Sequence, residues 1–202
     1  MKRDAYTRHP RPVLWLVPEG EIEWPAGGGA RRVVAPFYLS TLPVTNRQLE
    51  ASSPGRTRSP FAPGDDDPAV GVSLEEARAY CRWYGELARK PIRLPTEVEW
   101  EHACRADRGW PGPDDPCWGA VWHAENSEGD RVPPLAATPS NGFGLHAMLG
   151  GVWEWVEAER PVLRGGSWRT PLVDLMAGAR RVAGPQEAPA EAGFRIAKSL
   201  RG

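Results

Sequence analysis

Glycine and proline interrupt this chain too often for any long helix or wide, regular sheet. The 202 residues include 22 Gly and 22 Pro, roughly a fifth of the chain and well above ordinary usage. Ten tryptophans stand among them. Large aromatic side chains supply the burial that offsets chain entropy, so folding rather than disorder is expected. Short strands and helices joined by much irregular loop should result, in a single domain over residues 1–202.

Charge points to no particular partner. With 25 basic and 26 acidic residues, no net field draws nucleic acid or an anionic membrane. The apolar run VLWLV near the start is five residues long, too short for a signal-peptide core or a membrane span. Three cysteines, an odd number, do not form a disulfide framework. The expected location is the cytoplasm.

Turn chemistry locates the elements. Residues 12–43 carry apolar runs, Val13–Val17 and Val33–Leu39, that read as two or three strands around a Gly-rich turn. Capping boxes follow at Thr45–Gln48, Ser73–Glu76 and Thr96–Glu99. In each, a hydroxyl caps a backbone N–H three residues on while the Glu or Gln reaches back. They predict a short helix ending by Ser52, a helix over 74–88 and one over 97–105. In the second helix Ala77, Cys81, Tyr84 and Ala88 form an apolar stripe, flanked by Tyr80 and Leu87; the third offers Val98, Trp100, Ala103 and Cys104. Later strands are expected over 152–156, 162–168 and 193–197. Within RGGSW (164–168), Gly165 and Gly166 permit an unusual backbone or a close approach by another segment.

Several fragments, in order, carry a resemblance: LPVTNRQL (42–49), PAVGVSLEEARAYCRWYG (68–85), IRLPTEVEWEHACRA (92–106), CWG (117–119), PSNGFGLHAMLGGVWEWV (139–156), RGGSW (164–168) and GFR (193–195). Together they resemble the formylglycine-generating-enzyme, or sulfatase-modifying-factor, family over about residues 35–197. The resemblance implies an α+β, C-type-lectin-like fold with antiparallel sheets, a few helices and much irregular loop.

The resemblance also implies chemistry that this chain departs from. The family's enzymes carry two copper-binding cysteines, two and seven residues after RGGSW; here those positions are Thr170 and Leu175. Neither a hydroxyl nor an alkyl group replaces a thiolate at copper(I). Cys81 and Cys104 fall on apolar helix stripes and Cys117 beside Trp118, positions that suit small core hydrophobes. A second branch, the sulfoxide synthases of thiohistidine biosynthesis, draws iron-binding histidines from an added helical domain. His9, His102, His123 and His146 are scattered instead, and the spacing of His123, Cys117 and Asp130 supports no triad. No catalytic residues are therefore expected. For calcium, the family's Asn and Glu donors match Asn126 and Glu154, but a second Asn is replaced by Gly151. Losing an oxygen donor weakens a site that wants six to eight. The competing role for Asn126 is a turn residue, and for Glu154 a buried, hydrogen-bonded carboxylate.

The same fold serves the variable proteins of diversity-generating retroelements, whose chains run from RGGSW through a variable stretch to GFR near the C-terminus. This chain resembles them in residues 164–197. Mutation at template adenines reaches every residue type from Thr170 to Leu175 but not Met176, Gln186, Glu187 or Glu191, which would stay fixed. The expected function is a ligand-binding display protein. Its surface would comprise Arg169, Thr170, Pro171, Leu172, Val173, Asp174, Leu175 and Arg181, on loops that contribute little to burial. Leu172, Val173 and Leu175 would supply apolar contact, and Arg169, Asp174 and Arg181 orientation. The partner would be a protein or other macromolecule, with no cofactor save possible calcium. Alternatives are an ordinary solvated loop, or an inactive relative of the oxidase acting as a subunit or adaptor.

Overall fold

The computed structural model describes residues 10–24, 29–106, 121–127, 131–132, 134–184 and 186–200. Cys117, Asp130 and His9 lie outside them. Four strands, rather than two or three, open the fold: β1 (Leu14–Val17), β2 (Gly20–Trp24), β3 (Ala30–Val34) and β4 (Phe37–Ser40). The run expected over Val33–Leu39 breaks between β3 and β4 at Ala35–Pro36, where proline cannot donate to a ladder. Three helices follow the capping boxes: α1 (Asn46–Glu50), α2 (Leu74–Ala88) and α3 (Glu97–Arg105), with β5 (Ile92–Arg93) between the last two. The chain closes with β6 (Trp153–Val156), β7 (Val162–Arg164), β8 (Arg180–Val182), β9 (Ala192–Gly193) and β10 (Ala197–Ser199).

These strands make a sheet of order β1-β4-β10-β5, the hairpin β2-β3, and a sheet of order β8-β7-β6-β9. All pairs are antiparallel except β6–β9. The architecture is the expected α+β one. Two expected strands are shorter than their sequence runs. β7 stops at Arg164 because Gly165 and Gly166 turn the backbone to φ +94° and +77°, conformations that side chains disfavour. Residues 194–196 leave the ladder between β9 and β10. There Val44 N donates to Phe194 O and Ser40 N to Ile196 O, which fixes the segment that runs from one larger sheet to the other.

The alternation of Val152–Val156 does not separate a wet face from a dry one. All four residues of β6 are buried. Trp155 packs in one cluster with Tyr80, Leu94, Leu163 and Phe194, and Val156 in another with Trp100, Leu39 and Val162. On α2, Leu74, Ala77, Tyr80, Cys81 and Tyr84 are buried, whereas Leu87 and Ala88 only border the core. Burial pushes the Cys81 thiol up to about 12 and the Cys104 thiol upward as well, so both act as small hydrophobes.

Charge is buried where the recognisable motifs meet. Arg164 of RGGSW reaches Glu97 at 3.1 Å and Glu101 at 2.5 Å, both on α3. Its guanidinium also lies over the Trp24 and Trp100 rings. Arg180 joins Glu97 at 2.7 Å and Arg105 joins Glu101 at 2.6 Å. Arg195 of GFR forms a two-pronged pair with Glu154 of GGVWEWV, both bonds 2.7 Å. Such pairs hold position well, because removing one partner strands a buried charge.

Candidate ligand-binding site

The segment after Trp168 is held from beneath by its own short turns. Thr170 Oγ1 accepts from Ser167 N at 2.9 Å, and Thr170 N donates to Ser167 O at 3.0 Å. Thr170 O in turn accepts from Ala124 N at 3.0 Å. A turn of 3-10 helix then spans Leu172–Asp174, led by the exposed Pro171. The Leu172 amide donates to Glu125 Oε2 at 3.1 Å. Glu125 also holds His123 Nδ1 at 2.7 Å. That bond first, and the Leu172 amide second, keep the Glu125 carboxyl below the usual carboxylate range.

The structure separates the eight expected contact residues into two groups. Pro171, Val173, Asp174 and Arg181 are exposed, Val173 to 82%. Leu172 is half-buried. Leu175 is not a surface residue: it is 2% exposed, and a Cβ on Gly166 would overlap its Cδ2. The 3-10 turn explains this correction, since residues three apart share a face and Leu175 follows Leu172 inward. Thr170 is likewise a pin, with its hydroxyl spent on the Ser167 amide. Arg169 is half-buried, stacked over Phe61 at 4.3 Å with Glu191 at 3.9 Å. Glu191 also accepts from Ser167 Oγ at 2.6 Å.

Sequence reasoning missed several residues of this surface. Met176 and Val182 are also exposed, to 49% and 59%, and Glu125 arrives from far upstream to hold the Leu172 amide. No local pattern marks Glu125. Glu191 had a signal, as one of the residues that adenine mutation cannot reach, and it anchors the frame.

Neither of the family's two metal sites finds a fitting donor set in this chain. Positions 170 and 175, where the family's enzymes carry thiolates, both lie against Gly166: Thr170 Cβ is 3.4 Å from where a Gly166 Cβ would sit, and Leu175 closer still. They bring a hydroxyl and an isobutyl group together. For calcium, both Glu154 oxygens are occupied, by Arg195 and by Trp100 Nε1 at 2.7 Å. Asn126 Oδ1 accepts from His123 N at 2.9 Å, and its amide donates to Val121 O. At Gly151 the backbone has φ +64°, and a Cβ would come within 2.8 Å of Leu135 Cδ2. These residues are a loop clasp and a buried ion pair, and they do not fit calcium. Among the described residues, no group of three or more His, Cys, Asp or Glu is placed to hold a metal. His102 bonds Pro18 O at 3.0 Å and His146 bonds Thr138 O at 2.6 Å, each in a structural contact. No described helix is long and apolar enough to cross a membrane.

The fold and its motifs have counterparts. The chain is 35% identical over 137 residues to the inactive C-alpha-formylglycine-generating enzyme 2 of Bos taurus, covering 55% of this chain and 44% of that one. It spans less than half the length of the curated relatives it matches. Treponema denticola variable protein 1 superposes with a TM-score of 0.80 at 18% identity, covering 92% of this chain and 94% of that one. PvdO from Pseudomonas aeruginosa superposes at 0.79 and 23% identity, with 94% and 95% covered. At these identities the superpositions establish a shared fold. The sulfatase-modifying factor enzyme 1-like domain model matches residues 4–200, and the chain belongs to that family.

Proposed function

We propose that this chain is a non-catalytic, ligand-binding member of its family, of the diversity-generating variable kind, with its contact surface at residues 169, 171–174, 176 and 181–182. One observation carries the reading. The place of the thiolate pair is filled by Thr170 and Leu175 packed on Gly166, while Val173 and Asp174 stand outward from a turn pinned at both ends. A rigid frame with residues turned outward suits recognition, because little ordering entropy is lost on binding. The partner is a protein or other macromolecule that meets the apolar Val173, Met176 and Val182 together with Asp174 and Arg181. A second reading, an inactive oxidase relative acting as a subunit or adaptor, draws support from the similarity to an inactive enzyme.

Two experiments test the proposal. Purified protein supplied with copper, oxygen and a cysteine-containing sulfatase peptide is expected to form no formylglycine; aldehyde in the peptide would make it an enzyme. In the surrounding DNA, a near-copy of the codons for 164–197, differing at adenines and lying beside a reverse-transcriptase gene, is expected. Without that copy, the adaptor reading takes precedence. Calcium plays no part in the proposal: millimolar calcium should leave Tm unchanged, and a rise reversed by a chelator would show a site elsewhere.

A further inference from the structure

The sheet β8-β7-β6-β9 ends at β8, whose outer side pairs with no strand among the described residues. All three residues of β8 are exposed. Its register sets Arg181 opposite Leu163 and Val182 opposite Val162, and Ala183 N donates to Pro161 O at 3.3 Å. Antiparallel ladders alternate, so the main chains of Ala183 and Arg181 are the ones that face the neighbouring strand. The main-chain N–H and C=O of Arg180 and Val182 therefore point away from β7. Such an edge is a template for one more strand.

The side chains along this edge specify what would pair there. Val182 is an exposed apolar group. Arg180 is held by Glu97, whereas Arg181 makes no ion pair among the described residues. A second copy of β8 is a poor occupant, because antiparallel self-pairing centred on the strand would set Arg181 directly opposite its own counterpart, and like charges across a ladder repel. An acidic strand has no such conflict. Resting on the binding reading above, we infer that the β8 edge takes an extended segment of a partner protein as a fifth strand. The segment bonds to the main chain of Arg180 and Val182, sets a carboxylate against Arg181, and lays an apolar side chain over Val182.

The test uses the full chain, isotope-labelled, and two capped peptides: Thr-Val-Glu-Val-Glu-Thr, and the same sequence with lysine in place of glutamate. The glutamate peptide is expected to bind saturably and slow amide exchange at Val182 and Arg180. The lysine peptide should bind about tenfold more weakly. Val182→Pro removes the outward donor without touching the bonds to β7. It should lower affinity about tenfold, with the spectrum of the remaining amides unchanged. No binding, equal binding of both peptides, binding without protection of Val182, or a concentration-dependent dimer through β8 would each overturn the inference. A macromolecular ligand whose binding falls with Val173→Ser and Asp174→Ser but not with Val182→Pro would leave the binding surface standing and remove strand addition. Insensitivity to all three substitutions would remove both.

Discussion

Gly166 and Leu175 show how finely the surface segment divides. Their contact closes the frame under the turn, so Gly166→Ala is strained twice, by φ +77° and by overlap with Leu175. Leu175→Ala opens a cavity there and is expected to cost about 2–5 kcal/mol. By contrast, Pro171→Ser, Val173→Ser and Asp174→Ser should each stay within about 0.5 kcal/mol, as solvent-facing changes do. Thermal melts of the single variants check the division. If Val173→Ser destabilises as much as Leu175→Ala, the turn is core and the surface reading is wrong. The sequence hid this division because TPLVDL has neither helical nor strand periodicity. A three-residue turn of 3-10 helix sorts its inward and outward sides by a spacing too short to stand out.

At the scale of elements, capping chemistry was the most legible signal. Ser73 and Thr96 each accept from the amide three residues on, at 3.2 Å, and α2 and α3 start where the boxes predict. Strand ends were harder to read, since Pro36, Gly165 and the 194–196 crossing end ladders by local geometry that apolar runs do not reveal. The box on α3 also carries a pH dependence. Burial alone would raise the Glu99 carboxyl, but two Arg93 bonds of 2.7 Å and the Thr96 amide at 2.8 Å hold it below the ordinary 4.5. A carboxyl lowered by folding contributes stability that is complete above its unfolded value and lost as pH falls through its folded one. Denaturation midpoints should therefore show no Glu99 contribution to their slope between neutrality and pH 4.5, and a decline below it. Glu99→Gln is expected to flatten that decline. An undiminished acid slope in the variant would assign it to other carboxylates.

Across the whole molecule, the motifs that carry the family resemblance prove to be partners of one another. Glu154 meets Arg195, and Arg164 meets Glu97 and Glu101, across 41 to 67 residues of sequence. The sequence made the motifs visible, but their pairing requires the folded chain, which is why a metal-donor role for Glu154 stayed open beside that of a buried, hydrogen-bonded carboxylate. Arg195→Met should cost about 3–5 kcal/mol by stranding the Glu154 carboxylate, and Glu154→Met added to it should restore part of that loss. Urea titrations of the single and double variants check this; additive losses would contradict the pairing. The central claim is that this frame exists to present the 171–182 surface. Its most direct test compares two displayed libraries of the full chain, both panned against the same unrelated protein targets. One randomises Pro171, Val173, Asp174 and Arg181; the other randomises Glu75, Ala79, Arg82 and Glu86, equally exposed positions on α2. Folded, target-specific binders are predicted from the first library and not from the second. Equal yields from the two, or a first library that no longer folds, would contradict the claim.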